Sequence, residues 1–448
     1  MKRISLVLII ILAAYGIFFF RLGERSLWDP DEPRYAQAAR EMLETGDFIT
    51  PTFNHELRFD KPPLTYWLIT LAYKIFGVSE FSARFFPALF GLGTIFLTYL
   101  IATVLADKKA GFISAAVLAT SAEFAVLSRV CTPDIILCFF ITLAVFLFLK
   151  KRLILSFGAM ALAVLTKGPV GLVLPALIFG MFILFAKKRE YAPPKDIFIG
   201  GALFLILALP WYYLVISQHG KGYVESFFVF HHLERFFSSE FHHSEPFYYY
   251  IPMFLAGFLP WSVFLPWAIK NKPKLFLILW AAVPFVLFSL SKAKIPNYIL
   301  PMFPAAAIMV GDFIEKRKLE KIFKGTVIFM IITGIAVFLF IIPRFDIERS
   351  GKEVAAMAEG LSQQGERFAT YKFFKPSFVF YARHKIERLE TEEELFDFLS
   401  SPGGALVFFK KDDYSQIIKT DPALESLLIH EAGRYAVVSS PGAGRGTE

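Results

Sequence analysis

Through its first three quarters the chain repeats one pattern: long apolar runs separated by short polar segments. The runs are roughly 15–20 residues long, the length a helix needs to cross bilayer hydrocarbon. Barrel strands would alternate and be only about ten residues long, so a β-barrel is excluded. Candidate spans fall at 4–20, 84–105, 110–128, 135–149, 153–166, 170–186, 197–216, 247–267, 275–290, 296–312 and 322–342. The predicted architecture is an α-helical polytopic membrane protein with about 11 transmembrane helices. The first run follows Met1-Lys2-Arg3 and ends at Phe20-Arg21 without a small-x-small cleavage pattern, so it reads as an uncleaved span.

Loops numbered alternately from the N-terminus sort the basic residues. Lys2-Arg3, Lys108-Lys109, Lys150-Lys151-Arg152 and Lys187-Lys188-Arg189 fall on one side, with Lys270, Lys272, Lys274 and Lys316-Arg317-Lys318. The positive-inside rule makes that side cytoplasmic. The loop 21–83, the segment around 217–246 and everything after 342 are then outside.

Loop 21–83 is too long for a connector. Pro33–Glu44 is predicted to be a helix: Pro33 suits a first turn, Tyr35, Ala38, Ala39, Met42 and Leu43 share a face, and Gly46 ends it. It is expected to lie in the membrane interface. Leu64–Phe76 is a second such piece, roughly 20 Å long and too short to cross comfortably. Past Pro343, short apolar stretches (Phe368–Tyr371, Ala405–Phe409, Tyr435–Val438) alternate with helical patterns such as Glu392–Leu399. Two domains follow: a transmembrane domain, 1–342, and a small exported α/β domain, 343–448.

Composition supports the class. Of 448 residues, 56% are hydrophobic, and the mean hydropathy of +0.53 exceeds that of soluble domains. A net charge of +8 would suit nucleic acid, but the basic residues lie in short clusters between apolar runs, which excludes that partner. Cys131 and Cys138 form no CxxC pair and read as packing residues.

Candidate chemistry gathers on the outer side. Trp28-Asp29-Pro30-Asp31-Glu32-Pro33-Arg34-Tyr35 places three carboxylates and an arginine at a helix start. Asp31 or Glu32 is either a helix cap or a base at the membrane boundary. In Arg58-Phe59-Asp60-Lys61-Pro62-Pro63 the diproline stiffens the backbone that presents Lys61. That lysine is either a phosphate holder or a snorkelling anchor. Asp134 lies in the outer turn Arg129–Asp134, and Lys167 in the turn Thr166–Pro169. His231, His232, Glu234, Arg235, His242, His243 and Glu245 crowd another outer loop, either as interfacial residues or as a set suited to zinc. Lys292 and Lys294 meet Pro296 at a further outer edge. The span interiors hold few ionisable groups, unlike those of a transporter, so an enzyme acting on a lipid-borne substrate fits better.

The motifs Trp28–Ala36, Asp60–Trp67 and Thr132-Pro133-Asp134, the histidine loop before Pro246–Tyr250, and Ser291–Pro301 together resemble the bacterial lipid A aminoarabinose transferase family. That family is a branch of the GT-C membrane glycosyltransferases, related to protein O-mannosyltransferases. The resemblance spans about residues 1–310 and implies a polyprenyl-phosphate sugar donor, a periplasmic site in the bacterial inner membrane, and transfer with inversion. It implies catalytic roles for Asp31 and Asp134, with Glu32 a further candidate acid. Arg34, Lys61, Arg235 and Lys292 become candidate ligands of the donor phosphate. Asp60 and His232 fall at the family's zinc positions, with His243 a third candidate ligand, although Asp60 stands where Glu is more usual. The acceptor is expected to be lipid A or another envelope glycan or protein. A protein O-mannosyltransferase-like enzyme and a lipid or glycan transporter are the alternatives.

Overall fold

The computed structural model describes residues 15–234, 245–341, 344, 346, 349–362, 366–401 and 404–440. Apolar helices form a bundle around one continuous core, from Phe18 and Ala88 to Phe303 and Ile314. Their starts follow local rules. Ser79 accepts from the Ser82 N–H at the head of Glu80–Leu105, and Asp107 accepts from Lys109 and Ala110 N–H at the head of Lys108–Ala119.

Among the described residues, three helices are long and apolar enough to cross a membrane: Glu80–Leu105, Arg189–Phe227 and Pro296–Lys316. Tyr250–Gly257 and Trp261–Lys270 together make a fourth, bent by 112°, and five shorter apolar helices accompany them. Most of the first expected span, 4–20, lies outside the described residues, and among the described residues fewer helices than the expected eleven reach full length.

The two ends of the bundle differ in charge. Lys109 lies 2.6 Å from Glu320 and 3.8 Å from Glu315, and Lys274 donates to the Leu105 carbonyl. Lys151 sits 5.2 Å over the Tyr191 ring, which packs on Phe148, itself against Phe276. Basic loops therefore share one end, and the acidic motifs lie at the other.

The C-terminal residues form a five-stranded mixed sheet in the order β4-β3-β5-β7-β6. Its strands are β3 (Arg367–Tyr371), β4 (Ile386–Leu389), β5 (Ala405–Lys410), β6 (Leu428–Ala432) and β7 (Tyr435–Ser439). β3 pairs in parallel with β4 and β5, whereas β7 is antiparallel to β5 and β6. The twofold strand period splits the apolar residues between faces. Ala405, Val407 and Phe409 meet the helices Glu392–Leu399 and Lys411–Thr420. Leu406, Phe408 and Val437 face the opposite way, into a core shared with loop 21–83.

The motif helix contributes to that shared core. The helix runs Asp31–Thr45, starting two residues earlier than predicted, and ten of its 15 residues are buried, Tyr35–Met42 without a break. Its apolar face packs on Leu64–Phe76, where Thr70 and Tyr73 donate to the Ala39 and Ala36 carbonyls at 3.0 and 3.1 Å. Its polar face meets the sheet domain instead of water. Arg40 donates to the Phe380 carbonyl at 2.7 Å, with its guanidinium 4.2 Å over the Phe380 ring. Glu41 accepts from Thr52 and Asn54 in the hairpin β1 (Thr52–Phe53) and β2 (Glu56–Leu57). The turn residues Asn54 and His55 have φ of 57° and 61°, the left-handed pair a two-residue hairpin needs. Asn54 then clasps both the N–H and the carbonyl of Ile386 in β4. Leu64–Phe76 leaves Leu71, Ile75 and Phe76 exposed, as a helix lying against lipid would.

Candidate active site

Adjacent carboxylates at the start of the motif helix have opposite environments. Asp31 is the first helical residue, its side chain is 63% exposed, and Arg34 lies 3.9 Å away. The cap position belongs to Pro30, which offers no side-chain bond, so the capping reading of Asp31 and Glu32 lapses. Glu32 is 1% exposed.

Both Glu32 oxygens are fully engaged. Oε1 accepts from Arg84 Nε and the Cys131 N–H, each at 2.7 Å. Oε2 accepts from Arg84 Nη2 at 2.7 Å and the Trp28 N–H at 2.8 Å, with Arg25 3.6 Å away. Arg84 in turn spends its remaining donors on the carbonyls of Leu22, Arg25 and Ser26. Burial alone would raise the Glu32 pKa, but the Arg84 guanidinium, Arg25 and the Cys131 N–H hold it below the usual carboxylate range. A carboxylate with every lone pair occupied has none for a reacting group. This geometry corrects the sequence assignment of Glu32 as a catalytic acid: it positions rather than reacts. It ties the motif helix to the helix Glu80–Leu105 and to the turn leading to Asp134.

Asp134 also heads a helix, Asp134–Leu149, without capping it. Lys167 forms an ion pair with Oδ1, and Asn297 Nδ2 donates to Oδ2 at 2.7 Å. Lys167 also lies 4.6 Å over the Tyr298 ring. Three outer turns flagged separately in the sequence therefore converge on one buried acid. Glu123 packs against Gly257, where an added Cβ would come within 2.0 Å of its Oε2.

Lys61 precedes the buried prolines Pro62 and Pro63, and its Nζ donates to the Asp60 carbonyl at 2.8 Å. Asp60 accepts from Arg58 at 2.6 Å and from Tyr66 at 3.3 Å. Burial works against the Arg58 charge, yet Asp60, Tyr66 and Tyr35 hold its pKa above the ordinary value. Tyr35 stacks on Tyr66 at 5.7 Å and lies under Arg58. Its own pKa is raised, first by burial and then by Asp60.

The Arg58 guanidinium lies 2.6 Å from one Asp60 oxygen. Among the described residues no group of three potential ligands gathers. The segment Glu225–Glu234 is π-helical through His231 and His232. Arg235, His242 and His243 lie outside the described residues. Lys292 is exposed, whereas Lys294 is buried and donates to the carbonyls of Glu245 and Ser291. Burial and the neighbouring Lys292 lower the Lys294 pKa. Sequence reasoning missed Arg84, Arg58, Tyr66 and Asn297 as site-building residues. Arg84 carried a faint signal, as a charge at the head of an apolar span.

A helical bundle with acidic motifs at one end and a sheet domain seated on them defines the class: a GT-C membrane glycosyltransferase. The crystal structure of ArnT from Cupriavidus metallidurans bound to undecaprenyl phosphate superposes with a TM-score of 0.82, covering 99% of each chain at 21% identity. An Archaeoglobus fulgidus oligosaccharyltransferase shares the fold more loosely, at a TM-score of 0.57, 12% identity, and 88% and 64% of the two chains. Residues 3–218 match the family model described as dolichyl-phosphate-mannose-protein mannosyltransferase. An uncharacterised Aquifex aeolicus protein is 37% identical over 345 residues, 74% of this chain and 67% of that protein. The undecaprenyl phosphate-alpha-4-amino-4-deoxy-L-arabinose arabinosyl transferase of Shewanella sediminis is 32% identical over 378 residues, 78% of this chain and 68% of that enzyme. The chain belongs to this aminoarabinose transferase family.

Proposed function

We propose that the protein transfers a sugar from a polyprenyl-phosphate donor to an envelope glycolipid of the lipid A type, with inversion at the anomeric carbon. The observation that carries this reading is the contrast at the head of the motif helix: Glu32 is locked away, and Asp31 beside it is open. An acceptor oxygen attacks the anomeric carbon as the bond from that carbon to the phosphate oxygen breaks, so the phosphate leaves with the electron pair. Asp31 orients and deprotonates the acceptor and stabilises oxocarbenium character. Lys61, held at the edge of a membrane-facing helix, offsets charge on the departing phosphate, with Arg34 next to Asp31. Asp134 and its Lys167–Asn297 clamp form the second acidic group. No step passes through a metal. The match to a protein mannosyltransferase model favours a protein acceptor as the second reading.

Lys61→Ala tests the donor assignment. Donor affinity, measured by titration in detergent, should fall at least about tenfold, with thermal stability unchanged. An alanine variant with wild-type affinity would leave Lys61 as a membrane anchor only.

We further propose that the site and the sheet domain face the periplasm of a bacterial inner membrane, a reading supported by the basic loops at the opposite end. Single cysteines near 190 and 272 should then resist an impermeant maleimide in intact spheroplasts, and those near 225 and 400 should react. Protection at 400 would reverse the orientation.

A further inference from the structure

A cavity of about 760 Å³ is lined by none of Asp31, Lys61 and Asp134, although Arg25, Trp28 and Arg84, which hold Glu32, form part of its wall. Its apolar wall is built from Leu22, Val126, Val130 and Val337, each at an end or turn of the bundle next to the sheet domain. The rest of the lining is charged and mixed: Arg21, Arg25, Arg84, Arg129, Arg349 and Lys352, with the carboxylates of Glu24, Asp346 and Glu353. Arg21 pairs with Glu24 and Arg349 with Glu353 inside the lining, and Glu32 and Glu80 pair from outside with Arg84 and Lys352, so the positive excess is a single charge carried by Arg25 and Arg129 against Asp346.

Several of these cations are held in place. Arg129 donates to the carbonyls of Ile17, Phe18 and Phe20, closing the end of the first helix. Arg25 lies 4.8 Å over the Trp28 ring. Burial first, and then the neighbouring Arg84 and Arg25, pull the Arg129 pKa down to about 10. Guanidinium groups suit phosphate, whose oxygens they can grip in pairs. An apolar wall continuous with the bundle below a cationic chamber matches an amphiphile with chains in the bilayer and phosphate above it.

We propose that this cavity binds the phosphate-bearing headgroup of a second lipid, with its acyl chains along Leu22, Val126, Val130 and Val337. The occupant's headgroup would rest against Trp28, three residues before Asp31. The assignment stands independently of the donor reading.

The test uses the full-length protein in detergent in a Lys61→Ala background, so that the proposed donor site does not contribute. The probe is tail-labelled phosphatidic acid. Saturable binding is expected, and Arg25→Gln with Arg349→Gln should weaken it at least about tenfold, the loss of one or two charge-assisted hydrogen bonds. Val126→Trp keeps every charge, fills the apolar wall and should weaken it similarly. Arg367→Gln, outside the cavity, should not. Wild-type affinity in both cavity variants would overturn the proposal. So would competition by diacylglycerol as strong as that by unlabelled phosphatidic acid, or displacement by inorganic phosphate at equal concentration, which would mark a free-anion site.

Discussion

Asp31→Asn is expected to fold and insert like the wild type and to lose at least about 100-fold in turnover. The substitution keeps size and removes charge and basicity. Stability should hardly change, because Asp31 makes no capping bond and its side chain is 63% exposed beside an arginine 3.9 Å away. Turnover is read from sugar transfer at saturating donor, and folding from size-exclusion profile and melting temperature. Near wild-type turnover in a folded variant would move the catalytic role to Asp134.

Arg84→Ala should have the opposite signature. It strips Glu32 of both guanidinium bonds and leaves a carboxylate that is 1% exposed, a change that costs about 3–5 kcal/mol in comparable buried pairs. Arg84→Lys should rescue little, since an ammonium cannot serve five acceptors with a planar fork. The pH dependence follows from linkage. The folded pKa of Glu32 lies below its unfolded value, so its contribution is complete above the unfolded pKa and is lost as pH falls through the folded one. Acid melts should therefore be flatter in Glu32→Gln than in the wild type. Equal acid sensitivity and a loss below about 1 kcal/mol in Arg84→Ala would show that the pair is not a structural lock.

The sequence carried the class and the acidic motifs well, because apolar run length and short linear patterns are local properties. Partners distant in the chain were invisible. Glu32 looked like a second acid in a motif until Arg84, 52 positions away, took both its oxygens. The motif helix read as a helix with one apolar face and one polar face open to water. On its polar face Arg40 is buried against a domain more than 300 residues later, while Gln37 bonds Glu41 and Glu41 bonds the nearby hairpin. Asp134 was legible, whereas its convergence with Lys167 and Asn297 depends on how three helices pack. Nothing in the order Arg58-Phe59-Asp60 showed that the Arg58 guanidinium turns back to the Asp60 carboxylate.

The most direct measurement is sugar transfer by the purified protein in nanodiscs, followed by mass spectrometry. Given undecaprenyl-phosphate-linked aminoarabinose and lipid A, the acceptor should gain one sugar mass with matching release of undecaprenyl phosphate, and Asp31→Asn should abolish both signals. An acceptor that stays unmodified while the intact donor crosses the bilayer would contradict glycosyl transfer and mark the protein as a lipid transporter.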